Sequence, residues 1–186
     1  MTASLSSHLQ APRPPLRLVA RPEGLLQVHT APFRGSFSAV FSQALRSAGL
    51  GSRVLVSQFL RGGVDQGVSG SLRLCGRLQW LRPAINGCVD GPVARVEGPE
   101  GGVDDRLQAV REVWAFSRDQ LLGGHVDLLV LDELGLATDL GYLPMDGVMA
   151  ALEQRPAHLD VILTGPSIPA PLMAMADQVT ELRRGV

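Results

Sequence analysis

The sequence predicts an α/β fold: one open, mainly parallel sheet with helices on both faces. Segments of strand character alternate with segments of helical period along the chain, and strands joined that way run parallel. The run Val126-Asp127-Leu128-Leu129-Val130-Leu131-Asp132-Glu133 is apolar on both faces, as in a central strand covered on either side. A glycine-containing loop, APFRGS, separates the first strand from the first helix, where a phosphate-binding loop sits in a nucleotide-binding βαβ unit.

Each element has its own signal. Gly24 to Thr30 is a short buried strand. Ser36 to Ala48 has helical period, with Phe37, Val40, Phe41, Ala44, Leu45 and Ala48 on one face, and Gly49 and Gly51 stop it. Arg53 to Leu60 is the second strand. Residues 61–103 hold two glycine-rich loops, and between them LRLCGRLQWL suits a third strand. Asp104-Asp105 caps a helix to Leu122 whose stripe is Leu107, Val110, Trp114 and Leu121, and Gly123-Gly124 ends it. The acidic strand follows. Pro144 then opens the helix MDGVMAALEQR, which Pro156 ends. Leu159 to Thr164 is another apolar strand, Ala170 to Ala176 a short helix, and Gln178 to Leu182 a last short strand.

Composition bounds the function. The chain has 186 residues, 45% hydrophobic and 19% charged, which suits one domain with a sizeable core. Residues 1–23 are expected to form a flexible arm, rich in Ser and Pro, ahead of a single domain over 24–186. A net charge of -1 gives no field that favours nucleic acid or acidic membranes, and neither is expected as a partner. No stretch approaches the length of a membrane span. Cys75 and Cys88 match no zinc or redox spacing, so reduced thiols and a cytoplasmic location are expected. All 17 cationic side chains are arginine, which excludes Schiff-base lysines and any lysine phosphate clamp.

In open α/β sheets ligands bind at the carboxyl ends of the strands. Three polar clusters fall there: the loop after Thr30, the pair Asp132-Glu133, and Thr164-Gly165. An aspartate ending an apolar strand holds Mg²⁺ directly or through water, and a following glutamate orients water or a second ligand. Acidic residues also cap buried strands with no metal role. His29 suits packing or hydrogen bonding on its strand, and His125 and His158 sit at strand entries, away from that edge. Asp139 and Tyr142 flank the acidic loop and suit turn or packing roles as well as a substrate.

Several ordered pieces carry a resemblance. These are GLLQVHT, ALRSAGLGSRVLVSQFLRGG, REVWAFSRDQLL, LDEL, YLP before a helix, LEQRP, an apolar strand ending in TG, and ADQVTEL. Together they resemble the ATP:corrinoid adenosyltransferases, the cob(I)alamin and cob(I)yrinic acid a,c-diamide type, over most of residues 24–183. The resemblance implies a P-loop NTPase-like (RecA-like) sheet, MgATP as cofactor, a reduced corrinoid as substrate, and a homodimer. It implies transfer of the 5′-deoxyadenosyl group of ATP to cobalt. Asp132 and Glu133 would be the catalytic and metal-holding pair, and Arg34, Gly35, Ser36, Ser38 and Thr164 the nucleotide-binding set.

The loop departs from the family's short G-x-G-K-G-K-T-T pattern. Ala31 and Phe33 stand at its first two glycines, Arg34 at its first lysine and Gly35 at its third glycine. Ser36 replaces the phosphate-holding lysine, Phe37 the metal-binding threonine, and Ser38 matches the second threonine. Pro32 offers no N–H, and Phe37 cannot ligate Mg²⁺. A lost lysine contact removes a charge-assisted hydrogen bond of about 1.5–3 kcal/mol. Arg34 has two readings, a bidentate phosphate ligand or a solvated surface arginine. Pro166 follows Gly165 where the family usually carries arginine, and Trp80 suits the core as well as a corrinoid face. The loop is therefore degenerate, and two functions remain: adenosyl transfer, or an inactive family member serving as a ligand-binding or regulatory module.

Overall fold

The computed structural model describes residues 23–35, 37–63, 66–93 and 105–183. The expected N-terminal arm and Ser36 lie outside the described residues. Seven strands form one sheet in the order β3-β4-β2-β5-β6-β1-β7. They are β1 (Leu26–Thr30), β2 (Val54–Gln58), β3 (Leu72–Leu74), β4 (Leu78–Leu81), β5 (Leu128–Asp132), β6 (Asp160–Gly165) and β7 (Gln178–Glu181). Every pairing is parallel except that of β3 with β4. This is the open P-loop NTPase-like sheet that the alternating pattern predicts. β6 lies between β1, which leads into the loop, and β5, which ends in the acidic pair.

Strand alternation divides the core in two. On one side of the sheet, Val54, Val56, Leu78, Leu128, Val130 and Ile162 pack beneath Val40, Ala44 and Ala48 of α1 (Ser38–Gly49). On the other, Leu55, Leu129, Leu131, Val161 and Leu163 meet the remaining helices, with Val110, Trp114 and Leu121 of α2 (Asp105–Leu122) among them. The expected stripe of α2 is buried apart from Leu107, which is only partly so. On α1, Leu45 falls at the edge of the apolar face and is 40% exposed.

Two elements differ from the sequence-based expectation. LRLCGRLQWL is a hairpin, not one strand. Arg77 N–H donates to the Leu74 carbonyl, and Cys75 and Gly76 take positive φ of 53° and 67°. Both central residues left-handed is the mark of a type I′ turn, usually signalled by Asn-Gly. Here Cys stands in the Asn place, so the signal is hidden. The other element is α3 (Leu134–Asp139), a six-residue helix directly after the acidic pair. It is too short to show a period. α4 (Met145–Glu153) and α5 (Ala170–Met175) fall where expected.

Gly123-Gly124 closes α2 as anticipated. Gly124 has φ 62° and its N–H donates to Leu121 O, while His125 N–H donates to Gln120 O. That pair of bonds is a Schellman cap, which satisfies the last carbonyls of the helix.

Candidate functional site

The site begins with register. Gln58 and Asp132 end β2 and β5, Thr164 is the last residue but one of β6, and they are direct lateral neighbours: Gln58 pairs with Asp132 and Asp132 with Thr164. Residues in register share a face, here the face covered by α1. Their side chains form one buried row. Thr164 Oγ1 donates to Asp132 Oδ1 at 2.6 Å, and Gln58 Nε2 donates to Asp132 Oδ2 at 2.8 Å. Gln58 Oε1 accepts from Trp80 Nε1 at 2.8 Å and from Arg82 Nε at 2.9 Å. An indole nitrogen only donates, so Trp80 fixes which way the Gln58 amide points. That amide in turn requires an acceptor at Asp132 Oδ2. Burial pushes the Asp132 carboxyl above its ordinary value, and the hydrogen bonds from Thr164 and Gln58 oppose the shift.

Glu133 leaves the strand in the left-handed region, at φ 64°, and is the residue before α3. Its backbone N–H donates to Thr164 O at 2.7 Å, which holds this bend against β6. Gly165 lies against this bend, where a Cβ would be in ordinary contact with Glu133 Cα at 3.4 Å. The Glu133 side chain is 2% exposed and meets Arg34 in a two-pronged pair. Arg34 Nε donates to Oε1 at 2.6 Å and Nη2 to Oε2 at 2.7 Å. Arg34 Nη1 also donates to Val89 O and to Asp90 Oδ1. The bond to Glu133, more than any other cause, holds the guanidinium above its ordinary range. Arg34 is thus partly buried and paired with Glu133. It bridges the loop, the acidic strand end and the segment at Asp90. Arg61 adds a further cation, with Nε 3.9 Å from Glu133 Oε2, buried and without a hydrogen-bond partner.

Phe37 sits where a metal-binding hydroxyl would be expected. Its side chain is 1% exposed and belongs to the core beneath α1 with Ala31, Val40 and Val130. Gly35 keeps φ 87°, and a Cβ there would stand 3.2 Å from Arg61 Nη2. Ser38 is the exposed first residue of α1. So Arg34, Gly35, Asp132, Glu133 and Thr164 all lie at the carboxyl edge. Thr164 and Asp132 form a buried row, and Glu133, the next residue along the chain, pairs with Arg34 of the loop.

The other polar residues lie around this core. His29 has a buried Nε2 with no hydrogen-bond partner, and burial lowers its pKa. Tyr142 is a buried core residue whose hydroxyl donates to Gly91 O, and Asp139 accepts from Ser167 Oγ. Sequence reasoning missed Gln58, Arg61, Arg82 and Asp90. A signal existed for Gln58, a polar residue ending an otherwise apolar strand. None existed for Asp90, which lies in a glycine-rich stretch without period.

Comparison with known proteins decides the lineage. The family model for ATP:corrinoid adenosyltransferase BtuR/CobO/CobP matches residues 22–185. The chain belongs to the ATP:corrinoid adenosyltransferase family. Among relatives, a corrinoid adenosyltransferase of Escherichia coli (strain K12) is 31% identical over 161 residues, covering 86% of this chain and 76% of that protein. One from Pseudomonas aeruginosa (strain PAO1) is 32% identical over 162 residues, covering 86% and 74%. A third, from Salmonella typhimurium (strain LT2), is 31% identical over 160 residues, covering 86% and 76%. The family's description names ATP and corrinoid, both small molecules. Among the described residues no helix is long and apolar enough to cross a membrane. For an ATP:corrinoid adenosyltransferase family member, the arrangement around Arg34 and Phe37 is the feature that bears on chemistry.

Proposed function

We infer that this adenosyltransferase-family chain keeps its carboxyl edge for ligand binding and does not run MgATP-dependent adenosyl transfer. The observation that carries this reading is the Arg34–Glu133 fork, which ties the loop to the end of the acidic strand while Phe37 is packed into the core. Each of the four carboxylate oxygens of Asp132 and Glu133 already accepts from a protein donor. A Mg²⁺ ion needs oxygens of that kind turned toward it. Phe37 supplies none, so as arranged the loop offers Mg²⁺ no hydroxyl and the acidic pair offers it no carboxylate oxygen free of a protein donor. The triphosphate would also have to displace Arg34 from a buried partner, leaving Glu133 with only the more distant Arg61, at 3.9 Å.

The second reading is adenosyl transfer itself, favoured by the family match over residues 22–185. It requires Arg34 to leave Glu133 for the triphosphate, with Gly35, Ser36, Ser38 and Thr164 along the nucleotide and Asp132 and Glu133 managing metal and charge. Two measurements separate the readings. In titration calorimetry with MgATP, with and without a corrinoid, binding weaker than about 0.1 mM is expected on the first reading. In a cobalt(I) alkylation assay with ATP and reductant, no product is expected at high protein concentration. Turnover would establish the second reading and end the first.

The protein is read as cytoplasmic, supported by two exposed free cysteines, Cys75 and Cys88. A homodimer follows from the family alone, and sedimentation velocity tests it.

A further inference from the structure

A cleft lies at the opposite edge of the sheet from the acidic pair. Its volume is about 460 Å³, within the range of small-molecule sites. The entries of β2 and β5, the β3–β4 hairpin and the end of α2 border it. Arg53, Arg73, Arg77 and His125 stand in its walls with the amides of Gln79 and Gln120, and no Asp or Glu lines it. The chain as a whole carries 17 basic and 18 acidic side chains, so this separation of charge is local.

The three arginines are not equivalent. Arg53 is neutralised by Asp127, with Nη2 at 2.7 Å from Oδ1 and Nε at 3.2 Å from Oδ2. Arg73 and Arg77 have no ion pair among the described residues. They flank the type I′ turn and stand on either side of Cys75-Gly76. The end of α2 would ordinarily repel an anion through its bare carbonyls. Here the Schellman cap covers Gln120 O and Leu121 O with the N–H groups of His125 and Gly124, which removes much of that penalty.

We propose that this amino-edge cleft binds a small phosphorylated anion, with Arg73 and Arg77 meeting the phosphate and His125, Gln79 and Gln120 supplying hydrogen bonds. Two guanidinium forks match phosphate oxygens, and an open cleft of this volume admits a small anion. The inference does not use the Arg34 site and stands whatever that site does.

The two cysteines make the test direct. Cys75 lines the cleft, and Cys88 lies beside Val89 and Asp90 near the carboxyl edge. Both are exposed. The full chain is alkylated with iodoacetamide over a titration of inorganic pyrophosphate, and each thiol is followed by mass spectrometry. Saturable slowing at Cys75 with Cys88 unchanged is expected. Arg73→Ala with Arg77→Ala, both exposed positions, is expected to weaken the protection by about tenfold or more, one tenfold step being about 1.4 kcal/mol. Circular dichroism checks that the variant is folded, and Arg73→Gln alone provides a milder second variant. No protection of Cys75 at millimolar pyrophosphate would overturn the proposal, as would protection confined to Cys88. A single-stranded oligonucleotide protecting Cys75 at lower concentration than pyrophosphate would overturn it in favour of nucleic acid.

Discussion

Arg34 and Glu133 are 99 residues apart in sequence, yet each is the other's main partner. Glu133 is buried and Arg34 is 26% exposed, so solvent screens only one end of the pair. Arg34→Ala is expected to cost about 1–3 kcal/mol in urea denaturation, mostly through the unpaired carboxylate. Glu133→Gln added to Arg34→Ala is expected to recover part of that loss. A coupling energy near zero in the double-mutant cycle would mean the fork contributes nothing. Asp132 has a different logic. Its folded pKa lies above its ordinary value of 3.8, because burial disfavours the charge. The folded state then binds the proton more tightly than the unfolded one. The resulting stabilisation is present below about pH 3.8 and is lost as pH rises through the raised folded pKa. Asp132→Asn removes that slope. Its amide can turn the oxygen to Gln58 Nε2 and the nitrogen to the Thr164 hydroxyl, which rotates to accept, so a net change of no more than about 1 kcal/mol is expected at neutral pH. An unchanged pH slope in the variant would remove Asp132 as its source.

At the scale of elements, the start of α1 trades a polar cap for a buried ring. Phe37 precedes the helix with no side-chain capping bond and puts its ring into the core instead. Ser36→Lys with Phe37→Thr restores the loop's polar groups but removes a buried ring. A loss of about 3 kcal/mol is expected, read from the denaturation midpoint. Calorimetry on that variant is expected to show no MgATP binding until Arg34→Ala is added, because the fork still ties the loop to the acidic strand. Binding by the double variant alone would place the whole defect in the loop. The β3–β4 hairpin gives a prediction of opposite sign. Cys75 occupies a left-handed turn position that asparagine tolerates better. Cys75→Asn is expected to stabilise the protein by about 0.5–1 kcal/mol, measured by thermal unfolding.

At the scale of the whole molecule, one sheet separates two apolar layers, and a tryptophan reports on each. Trp80 packs with the layer under α1, and Trp114 lies in the layer against α2. If residues 24–183 fold as one unit, the single-tryptophan variants Trp80→Phe and Trp114→Phe give the same urea midpoint shift by fluorescence as by circular dichroism. Separate midpoints would show that the layers unfold independently.

The sequence alone determined the strand and helix order, the glycine stop after α2, the acidic pair at the end of β5 and the absence of a loop lysine. Those features are local: period, capping residues and composition act over a few neighbouring positions. The hairpin and α3 escaped because Cys-Gly is a poor turn signal and six residues are too few for a period. Only the tertiary structure decided that Gln58, Asp132 and Thr164 form one row, since strand register aligns residues from three distant segments. It also decided that Arg34 turns to Glu133 and that Phe37 turns into the core. Both choices balance the burial of a charge or a ring against groups brought near by folding, and no stretch of sequence contains both sides of that balance.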